Sequence, residues 1–215
     1  MANTRNPQRR ADQGRRDQLV GAASRVIARD GVAATTTRNV AREAGVPLGL
    51  VHYWFSGKEE LLEEVVGGLL EQLKSVAATA YAQDTGDPEQ DLLASFRAAF
   101  EVVSQDDPGR QLAVYELTTW ALRAPDQREL ARRQYTAYRT SAYAVMAPWL
   151  ARTGRDFPGG AEALARFVVT LFDGVVLAWL ADPEGTRPDE VFTLASQLIA
   201  GALRPRPAES PDSRQ

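Results

Sequence analysis

The chain has 215 residues, 44% of them hydrophobic, which is enough for one ordinary domain or two small ones and excludes disorder over most of its length. It holds no cysteine, so a disulfide framework, thiolate metal sites and a cysteine nucleophile are excluded, and a reducing, cytoplasmic setting is expected. The net charge of -3 conceals an asymmetry: residues 1–58 carry ten Lys and Arg against four acids, a balance of +6 that leaves -9 for the remainder. A basic module that meets a polyanion, joined to an acidic module with another task, fits this distribution, as does a merely solvated basic face.

The N-terminal stretch MANTRNPQRRADQGRR is basic, with no apolar run after it, and no stretch is read as approaching the roughly 20 apolar residues of a membrane span. Helical periodicity dominates from there on. A first helix is predicted over 13–29, with Leu19, Ala22, Ala23, Val26 and Ile27 at helical spacing and Asp30-Gly31 as its stop. A second, short one starts in the run Thr35-Thr36-Thr37, with Thr37 as a cap, and ends before Gly45. A third follows Val46, with Pro47 in its first turn, and reaches about Trp54. Ser56 and Glu59 have capping-box spacing and open a longer helix over 58–81.

Asp87-Pro88 opens a helix to about 105, with Leu92, Phe96, Ala99, Phe100 and Val103 on one face. Further helices are predicted over 110–123, from beyond Ala124-Pro125-Asp126 to about 151 with a kink or stop near Pro148, over 161–181 and over 188–203. The stretch 155–160 reads as a loop, and the tail 205–215 is disordered by composition. Strand signals are missing, so the fold class is all-α, with about nine helices.

The second and third helices, turning at Gly45, have the size and punctuation of a helix-turn-helix. Gly45 can take positive φ, Val40, Ala41, Val46 and Val51 face inward, and the outer face of the third helix is free to enter a major groove. A two-helix turn by itself is common in helical proteins. The run TTTRNVAREAGVPLGLVHYWFSGKEELL (35–62), however, resembles the DNA-binding domain of TetR-family transcriptional regulators in its threonine-rich helix start, AGV turn, early glycine, aromatics and K-E-x-L-L, all in register. The likeness spans about 13–70. In addition, FVVTLFDGVVLAWLADPE (167–184) is similar to the penultimate helix of the branch typified by the choline-responsive BetI regulators.

The resemblance implies an N-terminal three-helix DNA-binding domain and a helical-bundle domain for ligand binding and dimerisation. Thr37 and Arg38 would then meet phosphate, Pro47, Leu48 and Gly49 would face base edges, and His52 and Tyr53 would reach base or phosphate. Lys58 would pair with phosphate on the flank. Pro47 and Leu48 depart from the family's usual polar residues, which shifts specificity toward thymine-methyl contact and DNA shape. The domains are expected as a flexible basic arm (1–12), the DNA-binding domain (13–60, continued by the helix 58–81), the second domain (61–204) and the tail (205–215).

One reading helix offers few contacts, so a homodimer on a two-fold operator is expected. Its interface is sought in the last two helices, on Leu164, Val168, Leu171, Val175, Trp179, Val191, Leu194 and Leu198. The resemblance also implies a small-molecule pocket, for which Phe96, Phe100, Tyr115, Glu116, Trp120, Tyr138, Phe172 and Asp173 are the candidates, though such aromatics equally make an ordinary core. An aromatic set with a carboxylate suits a bulky, partly apolar effector and also a quaternary ammonium. No cofactor, metal, membrane contact or catalytic residue is expected. The rival readings are an all-α enzyme built on His52, the sole imidazole, and a helical interaction module that does not bind DNA.

Overall fold

A computed structural model of the chain describes residues 7–82, 85–105, 108–123 and 127–206. Among them the helices are α1 (Pro7–Ala34), α2 (Thr37–Ala44), α3 (Leu48–Trp54), α4 (Lys58–Ala82), α5 (Pro88–Gln105), α6 (Pro108–Arg123), α7 (Arg128–Thr153), α8 (Gly160–Ala181) and α9 (Pro188–Ala202). The fold is all-α as expected. Residues 1–6 of the arm, the tail from 207, residues 106–107 and the break expected at Ala124-Pro125-Asp126 lie outside the described residues.

Three boundaries differ from the pattern-based ones. The first helix starts at Pro7 and continues past its predicted stop, though Gly31 (φ 78°, ψ 172°) interrupts it with non-helical geometry. Pro148 does not end α7. It cannot donate to the carbonyl of Ala144, but both residues lie on the exposed side, where water can satisfy that carbonyl. The predicted loop after α7 contains a two-residue strand, Arg155–Asp156 (β1), which pairs antiparallel with Arg204–Pro205 (β2) just beyond α9. The exposed Arg206–Asp156 ion pair, at 3.0 Å, fastens the same place.

The chain divides into two compact units. The first takes residues 1–70 and 104–136, hence α1 to α3, the first half of α4, α6 and the start of α7. Its helix-turn-helix core gathers Leu19, Ala22, Ala23, Val40, Ala41, Val51, Phe55 and Leu61, apolar residues at helical spacing that exclude water from their shared face.

The second unit takes residues 71–103 and 137–215. Its core joins Leu92 and Phe96 of α5, Trp149 of α7, Leu164 and Val175 of α8, and Phe192 and Ile199 of α9. The Trp149 indole donates to the buried Asp91 carboxylate, which also accepts from the backbone and hydroxyl of Thr85 and is thereby satisfied. One reading from composition needs correcting: α8 is long and apolar enough to cross a membrane by length and composition alone. Within the second unit α8 buries Leu164, Ala165, Val175 and Val176 on one side and leaves further apolar residues exposed on the other.

Candidate nucleic-acid interface

The geometry of the turn follows from three local choices. Thr36, extended at φ -112°, caps α2 by accepting from the Asn39 N–H; the cap is therefore Thr36, and Thr37 is the first helical residue. At the other end Gly45 is left-handed (φ 66°, ψ 34°). Its N–H donates to Arg42 O and that of Val46 to Ala41 O, the pair of bonds that closes a Schellman ending. Pro47 then supplies the extended residue before α3, whose seven residues leave one turn on either side of Val51.

Helix α3 is fixed by its inner face. Val51 and Phe55 are buried, with Leu48 and Trp54 partly buried against the same core. The Arg16 guanidinium lies 5.0 Å from the centroid of the Phe55 ring and is held at 2.8 Å by Glu64. Pro47, Gly49, His52 and Tyr53 point outward, and Tyr53, 76% exposed, rests edge-on against Trp54. Leaving an aromatic that exposed forgoes burial, a placement better suited to contact than to packing.

The basic charge around this face is partly spent. Glu43 takes Arg25 at 2.9 Å and Arg29 at 3.0 Å, and these hydrogen bonds hold its carboxyl below the ordinary carboxylate range. Arg38, exposed on α2, has no ion-pair partner among the described residues and remains free for phosphate. Thr37 is half-buried beside it.

Lys58, the expected flank residue, has contacts within the protein. Its ammonium donates to the Val32 carbonyl, stands 5.7 Å from the centroid of the Trp120 ring, and has its pKa lowered by burial. Sequence reasoning had no signal for this, since Val32 is 26 residues away and its carbonyl has no residue-type signature.

The other expected residues separate by unit. Tyr115, Glu116 and Trp120 belong to the first unit, where a Glu116 oxygen accepts from the Val32 N–H at 2.8 Å. Phe96, Phe100, Tyr138, Phe172 and Asp173 belong to the second. There Phe96, Phe100 and Phe172 all meet Phe192, an aromatic outside the expected set, and Phe100 meets Trp179 edge-on. On α8 the expected interface stripe turns inward. Leu164 and Val175 are buried, Val168 and Leu171 pack against the core as does Val191, and Trp179 is partly buried, whereas Leu194 and Leu198 of α9 are exposed. The exposed apolar side of α8 carries Phe167, Gly174, Leu177 and Ala178.

A rigidly capped two-helix turn with an exposed, partly basic outer face defines a helix-turn-helix protein. Comparison with known proteins specifies it further. Residues 19–65 match the family model of bacterial regulatory proteins of the tetR family, and residues 87–205 match a tetracyclin repressor-like C-terminal domain. The chain is 31% identical over 173 residues to the nicotine-responsive transcriptional repressor HdnoR of Paenarthrobacter nicotinovorans, covering 80% of this chain and 87% of that one. It is 29% identical to the transcriptional regulator BetI of Vibrio atlanticus over 86% of this chain and 90% of the relative. Among solved structures, the multidrug binding protein EbrR complexed with imidazole aligns with a TM-score of 0.60 at 28% identity, covering 91% of this chain and 97% of that one. The chain belongs to the tetR family and is a DNA-binding transcriptional regulator.

Proposed function

We propose that the chain is a repressor that acts in the cytoplasm, binds a palindromic operator as a homodimer and is released by a small molecule. The observation that carries the DNA part is the outer face of α3, where Pro47, Gly49, His52 and Tyr53 are exposed beside Arg38, on a helix whose inner face is locked. We assign phosphate contact to Thr37 and Arg38, base-edge contact to Pro47 and Gly49, and base or phosphate contact to His52 and Tyr53. Leu48 is partly buried, so only its free edge is offered to a thymine methyl. The division at about residue 60 into a reading domain and a second domain is part of the same proposal.

The dimer is assigned to the exposed faces of α8 and α9, with Phe167, Leu177, Leu194 and Leu198 as anchors and Gly174 permitting close helix approach, since a Cβ there would meet nothing. The effector is placed in the second unit, where Phe100, Tyr138, Phe172 and Asp173 are partly buried and suit a bulky, partly apolar molecule. HdnoR is nicotine-responsive and EbrR was solved with malachite green, which supports a bulky, partly apolar effector. Such an effector must bind the DNA-free state more tightly, because equal affinity for both states shifts nothing.

Selection of bound sequences from a random DNA pool tests the proposal. A palindrome with half-sites about one helical turn apart is expected. Tyr53→Ala and Arg38→Ala should weaken its binding, and Arg38→Ala should also lower the salt slope by about 0.9 for each phosphate that the guanidinium neutralises. No enrichment, or affinity indifferent to salt, refutes DNA reading.

A further inference from the structure

Val32 sits immediately after the break in α1 at Gly31, where the helical ladder is interrupted. Both of its peptide groups are engaged by side chains from distant helices. Glu116 of α6 accepts from its N–H at 2.8 Å, and Lys58 of α4 donates to its carbonyl, which also accepts from the Thr35 N–H at 3.2 Å. The surroundings are built for this approach. Gly31 has a φ of 78°, which favours glycine, and a Cβ there would stand 2.9 Å from a Glu116 oxygen, so any larger residue would have to displace the carboxylate that reaches Val32. One turn earlier in α1, Gly109 of α6 comes so close that a Cβ on it would stand 2.2 Å from the Ala28 carbonyl oxygen. The Lys58 ammonium is backed by the Trp120 ring, also from α6.

We propose that Glu116 and Lys58 are positioning residues for operator reading: they grip Val32 from both sides, fix the direction in which α2 and α3 leave α1, and touch no DNA. The proposal rests on the reading of α3 as the DNA-contacting helix. It follows from chain order, since only Ala33 to Thr36 separate the gripped residue from the start of α2. A rotation of the Val32 peptide is therefore passed directly to the helix pair. A buried N–H and carbonyl gripped by charged groups are strongly held, since charge-assisted hydrogen bonds are about twice as strong as neutral ones.

The test uses the full chain and the palindrome selected from the DNA pool, with random-sequence DNA as the non-specific probe. Glu116→Ala should weaken operator binding about tenfold while leaving non-specific affinity and the salt slope unchanged. Glu116→Gln should restore operator binding, because its amide oxygen still accepts from Val32 N–H. Lys58→Met should weaken the operator complex with the slope intact; a phosphate ligand would lower that slope by about 0.9. Such a fall in slope, an unchanged operator affinity in Glu116→Ala, equal weakening of specific and non-specific binding, or no rescue by Gln would each overturn the proposal. Should Glu116→Ala fail to fold, Glu116→Gln decides by hydrogen exchange, where retained protection of the Val32 amide supports the grip and rapid exchange refutes it. If wild-type protein enriches no operator, the DNA reading itself fails, whereas Val32 exchange still reports on the grip alone.

Discussion

Glu60 joins two helices through one carboxylate, and this makes stability depend on pH. It accepts from the backbone N–H and the hydroxyl of Ser56 at 2.8 and 2.9 Å, with Arg16 at 3.6 Å. The backbone bond is the main reason its carboxyl lies below the ordinary glutamate range; the Ser56 hydroxyl adds to it, burial opposes it, and Arg16 contributes least. A folded pKa below the unfolded one means stability that is fully present above the unfolded value and lost as pH falls through the folded one. Glu60→Gln should therefore flatten the acid limb of a urea-unfolding series, by less than about 1 kcal/mol because the group is partly exposed. An unchanged acid limb would show that these bonds are not made in solution. The sequence announced this contact one position off: Ser56 and Glu59 have capping-box spacing, yet α4 starts at Lys58 and it is Glu60 that accepts from Ser56. Lys58 and Glu116 were legible as charges near a reading helix and near a pocket, respectively. In the structure both meet the Val32 peptide beside a glycine break, and no pairwise pattern of side chains encodes that.

At the scale of elements, two glycines act for different reasons and should respond differently to the same substitution. Gly45 is left-handed with open space around its Cβ position, so Gly45→Ala should cost about 1 kcal/mol through backbone conformation alone, and Gly45→Asn less. Gly109 faces the Ala28 backbone. Gly109→Ala must push α6 off α1 and should cost about 1–3 kcal/mol or more, as other overpacked sites do. Thermal unfolding of both variants ranks the two costs, and an inverted order would mean that the α1–α6 packing yields easily. The turn at Gly45 was readable because a Schellman ending is local chemistry, complete within six residues. The inward side of α8 was not, because the helix is apolar nearly all round. Periodicity defines a face only when the opposite face is polar, and here Leu164, Val168 and Val175 on one side compete with Phe167 and Leu177 on the other.

For the molecule as a whole, the proposed dimer turns on what water would otherwise touch. Leu198 is 60% exposed, and Leu194, Leu177 and Phe167 are exposed with it, on the two helices nearest the C-terminus. Leu198→Glu places like charges across a two-fold contact and desolvates them, so sedimentation should find a monomer whose fold is intact. Its operator affinity should fall steeply, because a lone reading helix cannot span two half-sites. A Leu198→Glu protein that remains a dimer would move the interface elsewhere.

The short pairing of Arg155–Asp156 with Arg204–Pro205 bears on that same surface. It ties the entrance of α8 to the exit of α9 and so closes a ring of about fifty residues, using backbone bonds in a chain that has no cysteine to do it covalently. Neither helix can fray from that end until the clasp opens. The face offered to a second copy is consequently set before the second copy arrives, and little of the association energy is consumed in ordering it.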